Sequence, residues 1–308
     1  MKTLFIGTAI AVTAVTGAAA QELSYGQLFA NYGTLSTPLG DADVTILGVE
    51  AGVRVQDFDF WIDGVQITAS PDAVLGNLTG DVLTIGAGYT FADTYRVDVS
   101  SSDLGVGFGG FGLINIGLDE IGFAYDNGTF FGRLSYADIN QPLPGVDGLL
   151  GLHVGYQFND YADVSLSVHS LDESSGTVDP LYILSGEYDT GQWGIKAEYA
   201  SISIGSTDVS LLGLAGNYQI NDQWGVRGAY TTVDLAGTDA DLFRIGGTYN
   251  VNDTYALYAG LTRADIDGDT VDGFNFGMSM DFGDKPASYE TTADRLFSVV
   301  ETVGTFDY

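Results

Sequence analysis

Residues 274–282 read FNFGMSMDF. Phe274, Phe276, Met278, Met280 and Phe282 take every second position, with Asn275, Gly277, Ser279 and Asp281 between them. Successive side chains of a strand point to opposite faces, so this stretch has one large apolar face and one small or polar face. In a soluble fold the apolar face needs a second layer to cover it. The rest of the chain has almost no helical periodicity from which to build that layer. Lipid is the other solvent that accepts such a face.

The alternation continues outward. Turn signals recur at FADT (91–94), YDNGT (125–129), FNDY (158–161), YDTGQW (188–193), NDQW (221–224) and VNDTY (251–255), with centres about 30 to 34 residues apart. Asn, Asp and Gly there are the residues of tight hairpins. Another turn falls near Gln56–Asp57, and the opposite ends carry longer acidic connections: SLDESSGTVDP (170–180), LAGTDAD (235–241) and ADIDGDTVDG (264–273). Seven short turns and eight longer loops give about sixteen strands. The fold class expected is all-β, an antiparallel transmembrane barrel with short turns at one end and longer acidic loops at the other. Closure follows because an open edge would leave unpaired backbone groups in hydrocarbon.

Charge placement orients the strands. One parity carries Ile121, Phe123, Leu134, Tyr136, Leu152, Tyr156, Trp193, Ile195, Trp224, Val226, Phe243, Ile245, Tyr255 and Leu257, with aromatics gathered near the turns as in an interfacial girdle. Arg54, Arg96, Arg133, Lys196, Arg227 and Arg244 all fall on the other parity. A cationic side chain facing mid-bilayer lipid costs ~2–4 kcal/mol, so this second parity is the lumen. Arg263 has the apolar parity but lies at the loop end of its strand, beyond the apolar band.

Residues 1–20, MKTLFIGTAIAVTAVTGAAA, have a basic start at Lys2, an apolar run too short to span a bilayer, and small residues at Ala18 and Ala20. They read as an export signal cleaved before Gln21. The barrel is expected over 21–282 and a C-terminal periplasmic extension over 283–308. In that extension Thr291–Val303 is expected to form a short helix that plugs the periplasmic mouth, docks a partner or stays loose. With Lys2 removed, nine basic residues face 41 acidic ones, so nucleic acid is not an expected partner. There is no cysteine and hence no disulfide.

In this pattern the chain resembles the general diffusion porins of Gram-negative outer membranes, trimeric barrels of sixteen strands. The local match is the final strand, where Asn275, Gly277, Met280 and Phe282 occupy the positions read by the outer-membrane assembly machinery in such proteins. The resemblance implies an outer-membrane location, contact with outer-membrane lipid, a homotrimer, and passage of small hydrophilic solutes and ions. It also implies an acidic third loop folded into the lumen opposite an arginine wall. The corresponding segment SSDLGVGFGGFGLINIGL (101–118) is short, glycine-rich and holds only Asp103 as an acid before the strand resumes.

The expected pore lining is a basic set, Arg54, Arg96, Arg133, Lys196, Arg227 and Arg244, and an acidic set, Glu50, Asp59, Asp98, Glu120, Asp163, Glu187 and Glu198. A field between them would orient dipolar solutes, or the charges would simply pair with one another. Acidic loops raise local cation concentration and predict a mild cation preference. The alternative is a closed or plugged barrel serving as anchor, adhesin or surface receptor. DIDGD (265–269) starts like a calcium loop but has Thr270 where glycine is required. GVGFGGFG (105–112) lacks the lysine of a phosphate loop, and His153 and His169 have no convergent nucleophile or ligand partners in sequence. No cofactor, metal or enzymatic activity is expected.

Overall fold

The computed structural model describes residues 23–37, 40–71, 77–108, 113–143, 146–173, 178–205, 207–235, 238–283 and 290–295. Those residues form sixteen strands: β1 (Leu23–Thr37), β2 (Gly40–Val55), β3 (Phe58–Pro71), β4 (Leu78–Phe91), β5 (Tyr95–Phe108), β6 (Leu113–Asp126), β7 (Phe130–Leu143) and β8 (Val146–Asn159) in the first half. The second half is β9 (Ala162–Glu173), β10 (Leu181–Asp189), β11 (Trp193–Ile204), β12 (Thr207–Gln219), β13 (Trp224–Leu235), β14 (Thr238–Asn250), β15 (Tyr255–Ile266) and β16 (Asp269–Phe282). Each strand pairs antiparallel with its sequence neighbours, and β1 pairs with β16 to close the barrel. Residues 1–20, expected to be an export signal, and most of 283–308 lie outside the described residues.

Turn chemistry sets the hairpins. Asn221 Oδ1 accepts the N–H groups of Gln223 and Trp224, both at 2.9 Å, and Asn252 Oδ1 accepts those of Thr254 and Tyr255, again at 2.9 Å. Asn127 does the same for Thr129 and Phe130, beside Gly128 at φ 78°. Side-chain carbonyls thus take over backbone donors that the ladder leaves unmatched. At the other end the strands run far into the stretches expected to be loops. β13 ends at Leu235 and β14 begins at Thr238, while β15 and β16 are joined by residues 267–268 alone. Asp267 (φ 53°) and Gly268 (φ 88°) make that link a two-residue hairpin, with Asp265 Oδ1 accepting the Gly268 N–H at 2.9 Å.

The outward parity is the apolar one. Phe274, Phe276 and Met278 on β16 are half-exposed, as are Ile121, Leu134, Trp193, Trp224, Ile245 and Leu257 around the girth. Rings meet across strands near the turns: Trp193–Tyr218 at 4.3 Å, Trp224–Tyr249 at 4.7 Å and Phe58–Tyr89 at 4.8 Å between centroids. Arg263 lies on this face and pairs with Asp272 at 2.7 Å near the loop end.

The seam between first and last strand is packed by Phe282, whose ring lies where a Cβ on Gly26 would sit, 2.4 Å from Cζ. The inner wall carries two apolar clusters of its own. One joins Phe29, Ile46, Val65 and Val82 across β1 to β4, and the other joins Leu118, Ala137 and Leu149 across β6 to β8.

Candidate functional site

The charged residues on the inward parity are organised first by strand spacing. Neighbouring strands lie about 4.8 Å apart, so an arginine reaches an acid two strands away only if the residue beneath it is small. Arg96 on β5 crosses β4 and donates from Nη1 to Asp59 Oδ2 on β3 at 2.7 Å. The residue it crosses is Gly88, where a Cβ would lie 2.4 Å from Arg96 Nη2. Arg133 on β7 repeats this geometry over Gly122 on β6, donating from Nη2 to Asp98 Oδ1 at 2.8 Å and also binding Glu120.

Arg54 extends the series, 2.8 Å from Asp59, and Arg96 Nε lies 3.5 Å from Asp98. The result is a ladder along one wall, Arg54–Asp59–Arg96–Asp98–Arg133–Glu120. Arg96 and Arg133 are each 3% exposed, with Arg96 also over the Trp61 ring at 4.9 Å. These three arginines therefore face their own acids along the wall instead of an acidic set across the lumen.

The remaining predicted residues other than Arg244 border open space. A cavity of about 540 Å³ is lined by Glu50, Asp163, Glu187, Glu198 and Lys196 from the predicted sets. Asp63, Asp126, Glu290 and Asp294 join them, so among the described residues eight carboxylates and two cationic groups, Lys196 and Arg295, border it. Glu187 and Lys196 are register partners on β10 and β11. Arg227 borders a second cavity of about 280 Å³, donates to Thr248 Oγ1 at 3.0 Å and lies 4.9 Å from the Tyr258 ring centroid. Arg244 is buried on β14. Asn275 is buried on the inner wall, whereas Met280 and Phe282 are partly covered on the outer one. Gly277 lies under the Tyr258 ring, with a Cβ placed there 2.2 Å from Cζ.

The C-terminal stretch, expected as a periplasmic extension, is described beyond Gly283 over residues 290–295 alone. Residues 290–295 lie against the inner wall, and 292–295 form a single helical turn. Thr291 Oγ1 accepts the Asp294 N–H at 3.2 Å while Asp294 Oδ2 accepts the Thr291 N–H at 2.7 Å, a reciprocal cap at the start of the turn.

Three consecutive strands hold it. Glu120 Oε2 on β6 accepts the Thr292 N–H at 3.0 Å, Ser135 Oγ on β7 shares a hydrogen bond with Thr292 Oγ1 at 3.0 Å, and His153 on β8 faces Arg295. A guanidinium only donates, so His153 Nε2, 2.6 Å from Arg295 Nη2, is the acceptor and Nδ1 carries the proton given to Ser167 Oγ at 2.8 Å. Ala293 closes the Leu118–Ala137–Leu149 cluster. These contacts span 142 to 172 residues of sequence, beyond any local pattern. The signals that foreshadow them are an apolar patch on a water-facing wall and an inward histidine beside it.

Comparison with known proteins bears on the chain as a whole. Residues 119–270 match the model of the family described as Gram-negative porin. No curated protein matches the sequence. A triple mutant of the Rhodopseudomonas blastica porin superposes with a TM-score of 0.52 at 13% identity, covering 85% of this chain and 100% of that one. The anion-selective porin from Comamonas acidovorans superposes with a TM-score of 0.52 at 15% identity, covering 85% and 99%. At such identities the superpositions speak for the fold, which is that of a sixteen-stranded barrel.

Proposed function

The chain belongs to the Gram-negative porins of the outer membrane, and from that premise we propose that it passes ions and small hydrophilic solutes down their gradients with a mild preference for cations. The observation that carries the preference is the excess of carboxylates over cationic groups around the main lumen cavity, eight against two among the described residues. Arginines of the ladder add little positive potential, because Asp59, Asp98 and Glu120 neutralise them within hydrogen-bond distance. A barrel of sixteen strands has room for water after its side chains are accommodated, whereas eight strands fill themselves. No step of this passage needs energy input, a cofactor or catalysis. The reading includes a homotrimer in outer-membrane lipid, inserted by machinery that recognises Asn275, Gly277, Met280 and Phe282.

The test is single-channel recording of the refolded protein in a planar bilayer under a salt gradient. Ohmic steps with a reversal potential on the cation side are expected. An anion-side reversal potential would refute the charge argument. A second reading, a closed barrel with an anchoring or receptor role, is favoured by the segment 290–295 within the lumen. Folded, inserted protein that never conducts would establish it in place of the first.

A further inference from the structure

The family's infolded third loop has no counterpart of sufficient length here. β5 ends at Phe108 and β6 begins at Leu113, leaving four residues between adjacent strand ends. With strands about 4.8 Å apart and tilted by about 40°, sixteen strands close a cylinder roughly 32 Å across between backbones. A loop that reached the axis and returned would need about ten extended residues. The longest connections at that end, 72–77 and 174–180, have six and seven residues. Yet the inner wall at β6 to β8 is not bare: the segment 290–295 covers it, with Thr291, Thr292 and Ala293 at most 2% exposed.

We propose that residues 290–295 are the constriction element of this pore, a C-terminal replacement for an infolded loop, with Glu290, Asp294 and Arg295 setting the charge at the narrowest level. The inference rests on the channel reading above and adds the part that sets its width. Height is fixed by register: Glu120, Ser135 and His153 lie five or six residues from the turn ends of β6, β7 and β8, near mid-barrel. Glu290, Asp294 and Arg295 all line the main cavity, so the segment borders the passage and leaves it open. Allowing roughly 6 Å of side chain on each wall, the lumen is about 20 Å wide, and a helical turn about 11 Å across takes nearly a third of its cross-section.

Two full-length forms test this. The chain has no cysteine of its own, so Ser135→Cys with Thr292→Cys places a single thiol pair where two hydroxyl oxygens now lie 3.0 Å apart. Ala293→Asp places a carboxylate in an apolar cluster next to Glu120 and releases the segment. Heat-dependent gel mobility confirms that each form is folded. The disulfide is expected to form, and the oxidised channel to conduct like the unmodified protein. Ala293→Asp is expected to raise single-channel conductance about 1.4-fold, the inverse of the remaining cross-section, and to admit larger polyethylene glycols. Equal conductance and equal polymer exclusion in Ala293→Asp and the unmodified chain would overturn the constriction while leaving the channel intact. Thiols that stay reduced under oxidant in a folded barrel would overturn it as well. Silence in every form, including Ala293→Asp, would overturn the channel reading and with it this proposal.

Discussion

Replacing Arg133 by Met keeps the length of the side chain and removes its charge, which isolates the energetic role of the lumen ladder. Arg133 is 3% exposed, binds both oxygens of Asp98 and also binds Glu120. After the change Asp98 retains, among the described residues, the more distant Arg96 at 3.5 Å, and Glu120 retains the Thr292 N–H. Removing one partner of a buried ion pair costs about 3–5 kcal/mol, because the other charge stays buried without compensation. Arg54→Met removes a rung of the same ladder whose side chain is 48% exposed, and Asp59 keeps Arg96 at 2.7 Å. Solvent screens that pair, so its loss is expected to cost under about 1 kcal/mol. Urea unfolding in lipid vesicles, followed by the emission of the outward-facing Trp193 and Trp224, measures both. Adding Glu120→Gln to Arg133→Met should recover part of the loss, since one stranded charge goes with it. If Arg133→Met proved no more destabilising than Arg54→Met, lumen water would be solvating the ladder and the burial argument would be wrong.

Leu134 faces outward at mid-strand and is 52% exposed; Leu134→Arg is expected to lower the unfolding free energy in bilayers by about 2–4 kcal/mol, and an unchanged urea midpoint would remove that face from lipid. Gly277→Ala drives a methyl to 2.2 Å from the Tyr258 ring and 2.6 Å from the Ala30 carbonyl, an overpacking worth about 1–3 kcal/mol. Its heat stability in the purified, already inserted protein separates this packing role from recognition during assembly, which would leave that stability untouched. Changing the exposed Asp234, Asp239, Asp265, Asp267 and Asp269 to Asn should shift the reversal potential toward zero. No shift would confine selectivity to the lumen.

The strand count, the antiparallel order and the lipid-facing parity were all legible in the sequence, because a period of two repeated over sixteen segments tolerates local noise. The stretch of weakest alternation, Leu23–Gln66, has a physical cause. Phe29, Ile46 and Val65 there point inward and form an apolar patch, so both parities of β1 to β3 carry large apolar residues. The strand ends at the loop side were less legible, since acidic stretches such as 264–273 satisfy their backbone groups in the ladder and still face water. Within the site, the inward charges could be named but their pairing could not. Gly88 and Gly122 are the missing information: they let Arg96 and Arg133 cross a strand to an acid. The lodging of 290–295 rests on contacts between the C-terminal stretch and β6 to β8, which no periodicity records.

Net charge alone is a poor guide to what such a pore selects, and the ladder shows why. Screening in physiological salt confines a fixed charge to about 8 Å, so only groups bordering the path act on a passing ion. Arg54, Arg96 and Arg133 sit among Asp59, Asp98 and Glu120 as three charges of each sign within hydrogen-bond distance, and their fields cancel over that length. The remaining influence belongs to the groups around the cavity and to those brought there by the C-terminal segment. Glu290 and Arg295 are paired with each other, and Asp294 borders the cavity together with Glu50, Asp63, Asp126, Asp163, Glu187, Glu198 and Lys196 among the described residues. On the proposed channel reading, the carboxylates around the cavity are expected to weigh more on selectivity than the loop acids do. Selectivity should respond far more to Asp294→Lys than to any single change among the loop acids, measured by the same reversal potential.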